Sequence, residues 1–406
     1  MSSSPAIIDG KYELVELAGE GGMASVWKAA VRGAAGFSRT VAIKKIKQEF
    51  RAIRNYTDMF IEEARVGAEL AHPNIVAVYD FCADAQGSYY IVMEWVEGMD
   101  LGSLVKSYRE AGEHVPWPLV VAAGIATLRG LGAAHERRRP DGTPAPIVHR
   151  DVSPHNILVG TNGIVKLTDF GLARARDRVF SLTAPGTVKG KLSYLSPEVA
   201  MGGQATPLSD LFAMGAVLWE SLVGERLFDG RSDLEVFKQI RQCLVRPLAP
   251  MRPDVPPELI AVINGALTKE PDRRFGSAST MAYMLADVLK LAPPGLDPQL
   301  ALGQAVAAAR HKMGVKRNPM DGDHLPTWKW QGAPQTPPMS NAAATSPARV
   351  LAEKGRVETG PAPGTPGAPG SGGFVSREAE SVDVDLEFSK PDLTVEPVTL
   401  PTKPKK

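Results

Sequence analysis

The residues best equipped for chemistry lie in one run, His149-Arg150-Asp151-Val152-Ser153-Pro154-His155-Asn156, followed by Thr168-Asp169-Phe170-Gly171. Asp151 is a carboxylate that can take a proton from a hydroxyl, and Asn156 offers an amide oxygen five residues on. Asp169 adds a second carboxylate. Such oxygens suit Mg²⁺, a hard cation that bridges phosphates. Upstream, Gly19-Glu20-Gly21-Gly22-Met23-Ala24-Ser25-Val26 links two strand-like runs. Glycines there let backbone N–H groups approach phosphate oxygens. Taken alone such a loop is more often a plain turn, and a dinucleotide site would need a helix next, where a strand follows instead. Val41-Ala42-Ile43-Lys44 ends an apolar strand in an ammonium group. Glu63, nineteen residues later, could pair with it, with Glu62 as the competitor.

These groups need elements to hold them. Lys11–Ala18, Ser25–Arg32 and Thr40–Ile46 read as short strands bounded by glycine. Met59–Leu70 reads as a helix with Phe60, Ala64, Gly67 and Ala68 on one face. Val76–Cys82 and Tyr89–Val96 read as strands, and the turn Thr161-Asn162-Gly163 with strand Ile164–Leu167 sets Asp151 and Asp169 at neighbouring loop ends. After residue 100 the pattern turns helical: Leu119–His135, Ser209–Val223, Leu234–Cys243, Glu258–Thr268 and Ser279–Leu291. A strand-rich lobe followed by a helix-rich lobe is an α+β arrangement with a cleft between its halves.

Composition sets the outer limits. The 406 residues carry a formal net charge of +1, which gives no general reason to expect nucleic-acid binding. Two cysteines, Cys82 and Cys243, make no disulfide framework and fit a reducing compartment. Met1–Pro5 has no basic or apolar leader character. The apolar stretch Leu119–Leu128 stops at Arg129, too short for a bilayer, so we expect a soluble, cytoplasmic protein with no membrane span. Residues 318–406 hold 14 Pro and 9 Gly, about a quarter of the segment, with little apolar bulk, and are expected to be disordered. The expected division is an N-terminal extension 1–9, a small lobe 10–97, a large lobe 98–292, a helical extension 293–317 containing Gln299–Lys312, and the Pro/Gly-rich tail 318–406.

Taken in order, the glycine loop, Lys44, Glu63, the Asp151 run and Asp169-Phe170-Gly171 make residues 10–290 resemble a bacterial eukaryotic-like (Hanks-type) serine/threonine protein kinase. The resemblance implies a bilobal kinase fold, with a small β-rich N-lobe and a larger helical C-lobe. It implies ATP and Mg²⁺ as cofactors and proteins as substrates. Lys44, oriented by Glu63, would hold the α/β-phosphates, Asp151 would take the acceptor proton, and Asn156 with Asp169 would bind Mg²⁺. Ala18, Gly19, Glu20, Gly21, Gly22, Met23, Ala24 and Val26 would cover the nucleotide. Ala42, Met93, Glu94, Val96 and Leu158 would line the adenine pocket, with Met93-Glu94-Trp95-Val96 as the hinge. Ser196-Pro197-Glu198 resembles the close of the activation segment, Arg274 the partner of Glu198, and Asp210 the helix aspartate that holds the catalytic loop.

The sequence departs from the family at four places. Ala18 replaces a larger aliphatic residue and Ala24 a third glycine. Ser153 stands where the serine/threonine class carries lysine, and Gly190-Lys191 where it carries Gly-Thr. Lys191 is the candidate to return positive charge to the site, the alternative being that it faces the peptide. Leu172–Lys191 would be the activation segment, with Thr183, Thr187 and Ser181 as candidates for autophosphorylation and Arg150, Arg174 and Arg176 as their partners. The basic run Arg137-Arg138-Arg139 reads chiefly as a solvated helix end. The rival reading is a pseudokinase, a nucleotide-binding scaffold acting through its tail and a tail-binding partner. Ser153, Lys191 and Ala24 support it, and the intact Lys44, Glu63, Asp151, Asn156 and Asp169 oppose it. Tyrosine as acceptor stays open because of Ser153, against which Tyr194-Leu195-Ser196-Pro197-Glu198 favours serine and threonine.

Overall fold

The structure is a computed structural model that describes residues 7–84, 86–170 and 191–314, with Lys191 described by its backbone only. Its first half is a six-stranded antiparallel sheet in the order β1-β2-β3-β4-β6-β5. The strands are β1 (Ile7–Ile8), β2 (Tyr12–Glu20), β3 (Ala24–Arg32), β4 (Ser38–Ile46), β5 (Val78–Ala83) and β6 (Tyr89–Glu94). Helix α1 (Arg54–Glu69) packs against it. Both faces of the sheet are apolar, and the two-residue period of a strand decides which residue serves which face. Val41 and Ile43 of β4 join Tyr12, Ala29, Tyr90 and Val92 in one cluster. Ala42 and Ile46 join Met23, Ala24, Phe60, Ala64, Ile91 and Met93 in the other, on the α1 side. Lys44 lies between Ala42 and Ile46 in this alternation, so the same pleat that buries Val41 and Ile43 turns its ammonium toward α1.

The α1 face differs from its expected form. Phe60, Ala64 and Val66 are its buried residues, while Ala68 is exposed. Gly67 meets β5 so closely that a Cβ there would lie 2.5 Å from Val78 Cγ2. The packing stripe therefore runs through Val66 and Gly67 and misses Ala68.

The second half is built on β7 (Gly98–Asp100), β8 (Ile157–Gly160) and β9 (Val165–Leu167), a small antiparallel sheet, and on a helical core. The helices are α2 (Leu101–Glu110), α3 (Trp117–His135), the single turn α4 (Pro197–Ala200), α5 (Pro207–Val223), α6 (Asp233–Gln242), α7 (Pro257–Ala266), α8 (Ala278–Leu289) and α9 (Pro298–Lys312). Strands β1, β7 and β8 and the single turn α4 lay outside the sequence expectations, and so did α2. Helix α2 starts where Asp100 caps it by accepting from Ser103 N at 2.9 Å. Among the described residues α3 alone is long and apolar enough to cross a membrane, and 78% of its apolar window is buried inside the protein. It is the central core helix, packed on α5, α8 and α9. A main-chain bridge ties the halves together: Leu167 N donates to Asn74 O and Val76 N to Leu167 O, both at 2.9 Å.

Candidate active site

The expected chemical residues converge where the two halves meet. Lys44 is buried, and its Nζ contacts Glu63 Oε1 on α1 and Asp169 Oδ1, the latter at 2.8 Å. Glu63 is thus the partner of Lys44, while Glu62 instead pairs with Arg65. Burial works against a charge on Lys44, but Asp169 and Glu63 outweigh it and hold the ammonium protonated. Burial pushes the Glu63 carboxyl up while Lys44 pulls against it. For Asp169 burial again raises, and the charge of Lys44 overcomes it and holds the carboxyl below its ordinary value. One buried cation therefore ties a β4 side chain, an α1 side chain and the loop after β9 into a single cluster.

The loop of Asp151 is held from below. Asp210, in the first turn of α5, accepts from His149 N at 2.8 Å, from Arg150 N at 2.9 Å and from His135 Nε2 at 2.8 Å. A helix N-terminus favours a carboxylate at this place, and the two main-chain bonds fix the backbone immediately before Asp151. His149 then bonds Thr168 O at 3.0 Å and lies against the Phe170 ring, centroids 4.6 Å apart. Asn156 Nδ2 donates to Asp151 O at 2.7 Å, which fixes the orientation of the amide. Arg150 and Asp169 both have positive φ, +65° and +59°. Strained backbone of this kind persists where surrounding bonds over-determine it.

The glycine loop closes β2 onto β3. Gly19 pairs with Val26 and Glu20 with Ser25 across the hairpin, with a register shift between Leu17 and Gly19. Gly21 N donates to Ala24 O at 2.8 Å. The Met23 side chain is buried in the α1-side cluster, which leaves its main chain to the loop. Ala42, Met93 and Ala24 belong to the same cluster, with Val26, Val96 and Leu158 packed at its margin. Ala18 lies at an exposed position of β2. Glu94 is anchored at the end of β6 by Lys166 at 2.9 Å and by its own N–H to Ala77 O at 2.8 Å.

The supporting pairs fall where they were expected. Arg274 Nη1 and Nη2 bond both Glu198 oxygens at 2.9 and 2.7 Å, and Ser209 Oγ donates to Glu198 Oε1 at 2.7 Å. Gly171, the activation segment through Gly190, and the tail 318–406 lie outside the described residues, as does the Lys191 side chain. With them lie Ser181, Thr183 and Thr187, and the proposed exchange of Lys191 for the missing lysine at Ser153. Sequence reasoning missed Glu97 and Arg310, which meet beside the hinge. Their separation in the chain, 213 residues, leaves no periodic signal to follow.

The donors fit Mg²⁺. Asn156 offers an amide oxygen and Asp169 a carboxylate, the oxygen set a hard cation prefers, and Mg²⁺ completes such partial sets with water and phosphate oxygens.

Residues 12–285 match the protein kinase domain family. The tyrosine-protein kinase MasK of Myxococcus xanthus is 39% identical over 280 residues, covering 69% of this chain and 43% of MasK. The serine/threonine-protein kinase PknA of Mycobacterium tuberculosis is 34% identical over 340 residues, covering 79% of this chain and 74% of PknA. This chain thus spans under half the length of MasK and about three quarters of PknA. Among solved structures, Rad53 residues 1–466 in complex with AMP-PNP superposes with a TM-score of 0.52 at 30% identity, covering 67% of this chain and 64% of that one.

Proposed function

The chain belongs to the protein kinase family, in its bacterial Hanks-type serine/threonine branch, and from this premise we infer that its cleft transfers the γ-phosphoryl group of ATP to hydroxyls of protein substrates. The observation that carries the reading is the Lys44 cluster, one buried ammonium held by Glu63 and Asp169 above an Asp151 loop that is fixed by Asp210. In this reading Lys44 takes the α/β-phosphate oxygens and Glu63 keeps it aimed. Asp151 orients the acceptor hydroxyl and receives its proton. Asn156 and Asp169 would hold Mg²⁺, which supplies charge neutralisation between the phosphates. The main chain of Gly19–Ala24 covers the phosphates and excludes water. Ala42, Val26, Met93 and Leu158 enclose the adenine, and Glu94 and Val96 offer main-chain groups to its edge. Ala18 contributes less than a larger aliphatic residue would. Catalysis of this kind is mainly positioning and charge stabilisation. Lys191 as a second phosphoryl contact rests on the sequence alone. Cys82 and Cys243 are free thiols, in keeping with the cytoplasmic setting we propose.

Tyrosine acceptance is the second reading. It is favoured by Ser153, where the serine/threonine class has lysine, and by the similarity to a relative named as a tyrosine kinase. Incubation with γ-labelled ATP, Mg²⁺ and a generic protein acceptor, followed by phosphoamino-acid analysis, separates the two. Label on serine and threonine is the expected result. Label confined to tyrosine would replace it with the second reading, and no label on protein would contradict both.

A further inference from the structure

Helix α9 lies beyond the matched kinase residues, which end at 285, yet it is docked on the core and reaches the hinge. Asp297 caps it by accepting from Gln299 N and Leu300 N, both at 3.0 Å. Leu302, Val306 and Ala309 are buried in the main cluster. Its first turns sit on the β8–β9 turn at contact distance. A Cβ on Gly163, whose φ is +73°, would lie 1.8 Å from Gln299 O, and one on Gly303 would lie 2.5 Å from Thr161 O. Its last turn delivers Arg310 to the hinge. Arg310 Nη1 donates to Gly98 O at 3.1 Å, and Nη2 donates to Glu97 Oε1. The other oxygen of Glu97 accepts from Lys28 Nζ of β3 at 2.9 Å and from Trp95 Nε1 at 2.7 Å. Lys28 also lies over the Trp95 ring, 5.0 Å from its centroid. The Arg310 and Glu97 side chains are 12% and 18% exposed, so water screens the pair less than it would a surface contact.

We infer that α9 is a clamp: Arg310, acting through Glu97 and Lys28, fixes the angle between the β-sheet lobe and the hinge and so positions the roof of the nucleotide cleft. The three residues come from the last described helix, the residue just after the hinge and strand β3 of the sheet, and a single carboxylate joins them. Arg310, Glu97 and Lys28 are positioning residues, since they act on the cleft through the hinge. The nucleotide part of the inference rests on the function proposed above, and the hinge part does not.

The test therefore uses two measurements on the full chain. In the nucleotide-free protein, hydrogen exchange of amides 95–98, at the end of the hinge and just beyond it, should accelerate in both Arg310→Met and Lys28→Met. Lys28→Met should also accelerate exchange in the last turn of α9, residues 308–312, which Lys28 does not touch. In titrations with a fluorescent ADP analogue and Mg²⁺, each single variant should bind about 5-fold more weakly. The double variant should lose far less than the product of about 25-fold, because residues sharing one carboxylate are not independent. Multiplicative losses, or unchanged exchange in the hinge and in residues 308–312 of Lys28→Met, would overturn the clamp. Should Arg310→Met not fold, the exchange pattern of Lys28→Met decides the matter alone. A wild-type chain that binds no nucleotide would contradict the proposed function and leave the exchange result to judge the clamp.

Discussion

Two carboxylates from different elements, Glu63 and Asp169, meet on Lys44. Replacing it with methionine leaves Glu63 and Asp169 side by side without their cation. We expect Lys44→Met to fold but to lose about 10²-fold or more in phosphoryl transfer, the scale of losing one preorganised electrostatic contact. Steady-state kinetics on purified variant and wild type check this. At this scale most of the site was legible. Asp151, Asn156, Asp169, Lys44 and Glu63 are close to one another in motifs or tied by chemistry, and the structure brings Lys44, Glu63 and Asp169 into direct contact. The side chain of Met23 was not legible, because a flexible apolar residue beside glycines can turn either to a ligand or into a core, and the nearby cluster of Ala42, Ile46 and Met93 took it.

Among elements, α4 is tied to the loop before α8 by a buried ion pair. The Arg274 side chain is fully buried, bonds Glu198 twice and also donates to Thr268 O, Leu208 O and Lys269 O. Removing it strands a carboxylate and three carbonyls, so Arg274→Met should cost about 3 kcal/mol of stability, read as a lowered urea midpoint. The docking of α9 makes a second case. Gly163→Ala would force a Cβ into Gln299 O at a position of positive φ. We expect a loss of about 1–3 kcal/mol, with melting that begins in α9 by hydrogen exchange. The elements themselves were legible where the apolar period was long, as in α3 and α5. The face of α1 was misread at Ala68 because alanine is small enough to sit on either side of a packing boundary. The sequence pattern also passed over α2, whose start depends on the cap at Asp100 more than on periodicity.

Across the whole molecule, the link between the halves is electrostatic as well as apolar. Burial tends to raise the Glu97 carboxyl, but bonds from Trp95, Lys28 and Arg310 outweigh it and hold the group at about 2, below its ordinary 4.5. A carboxylate depressed in the folded state stabilises the fold fully above its unfolded value, and that contribution fades as pH falls from 4.5 toward about 2. The melting-temperature difference between wild type and Glu97→Gln should therefore be constant above pH 5 and shrink through that window. A difference that grows on acidification would contradict the assignment. The bilobal α+β plan could be read from the order of strands and helices. The Arg310–Glu97–Lys28 link could not, since it depends on where three distant segments end after folding.

The central claim, a phosphoryl-transfer cleft with Asp151 as the residue that receives the acceptor proton, is tested most directly by comparing wild type with Asp151→Asn. Both are incubated with γ-labelled ATP, Mg²⁺ and a protein acceptor, with binding of a fluorescent ADP analogue measured in parallel. Both proteins should bind the nucleotide, and only the wild type should label protein at an appreciable rate. Equal labelling by the two proteins would contradict it.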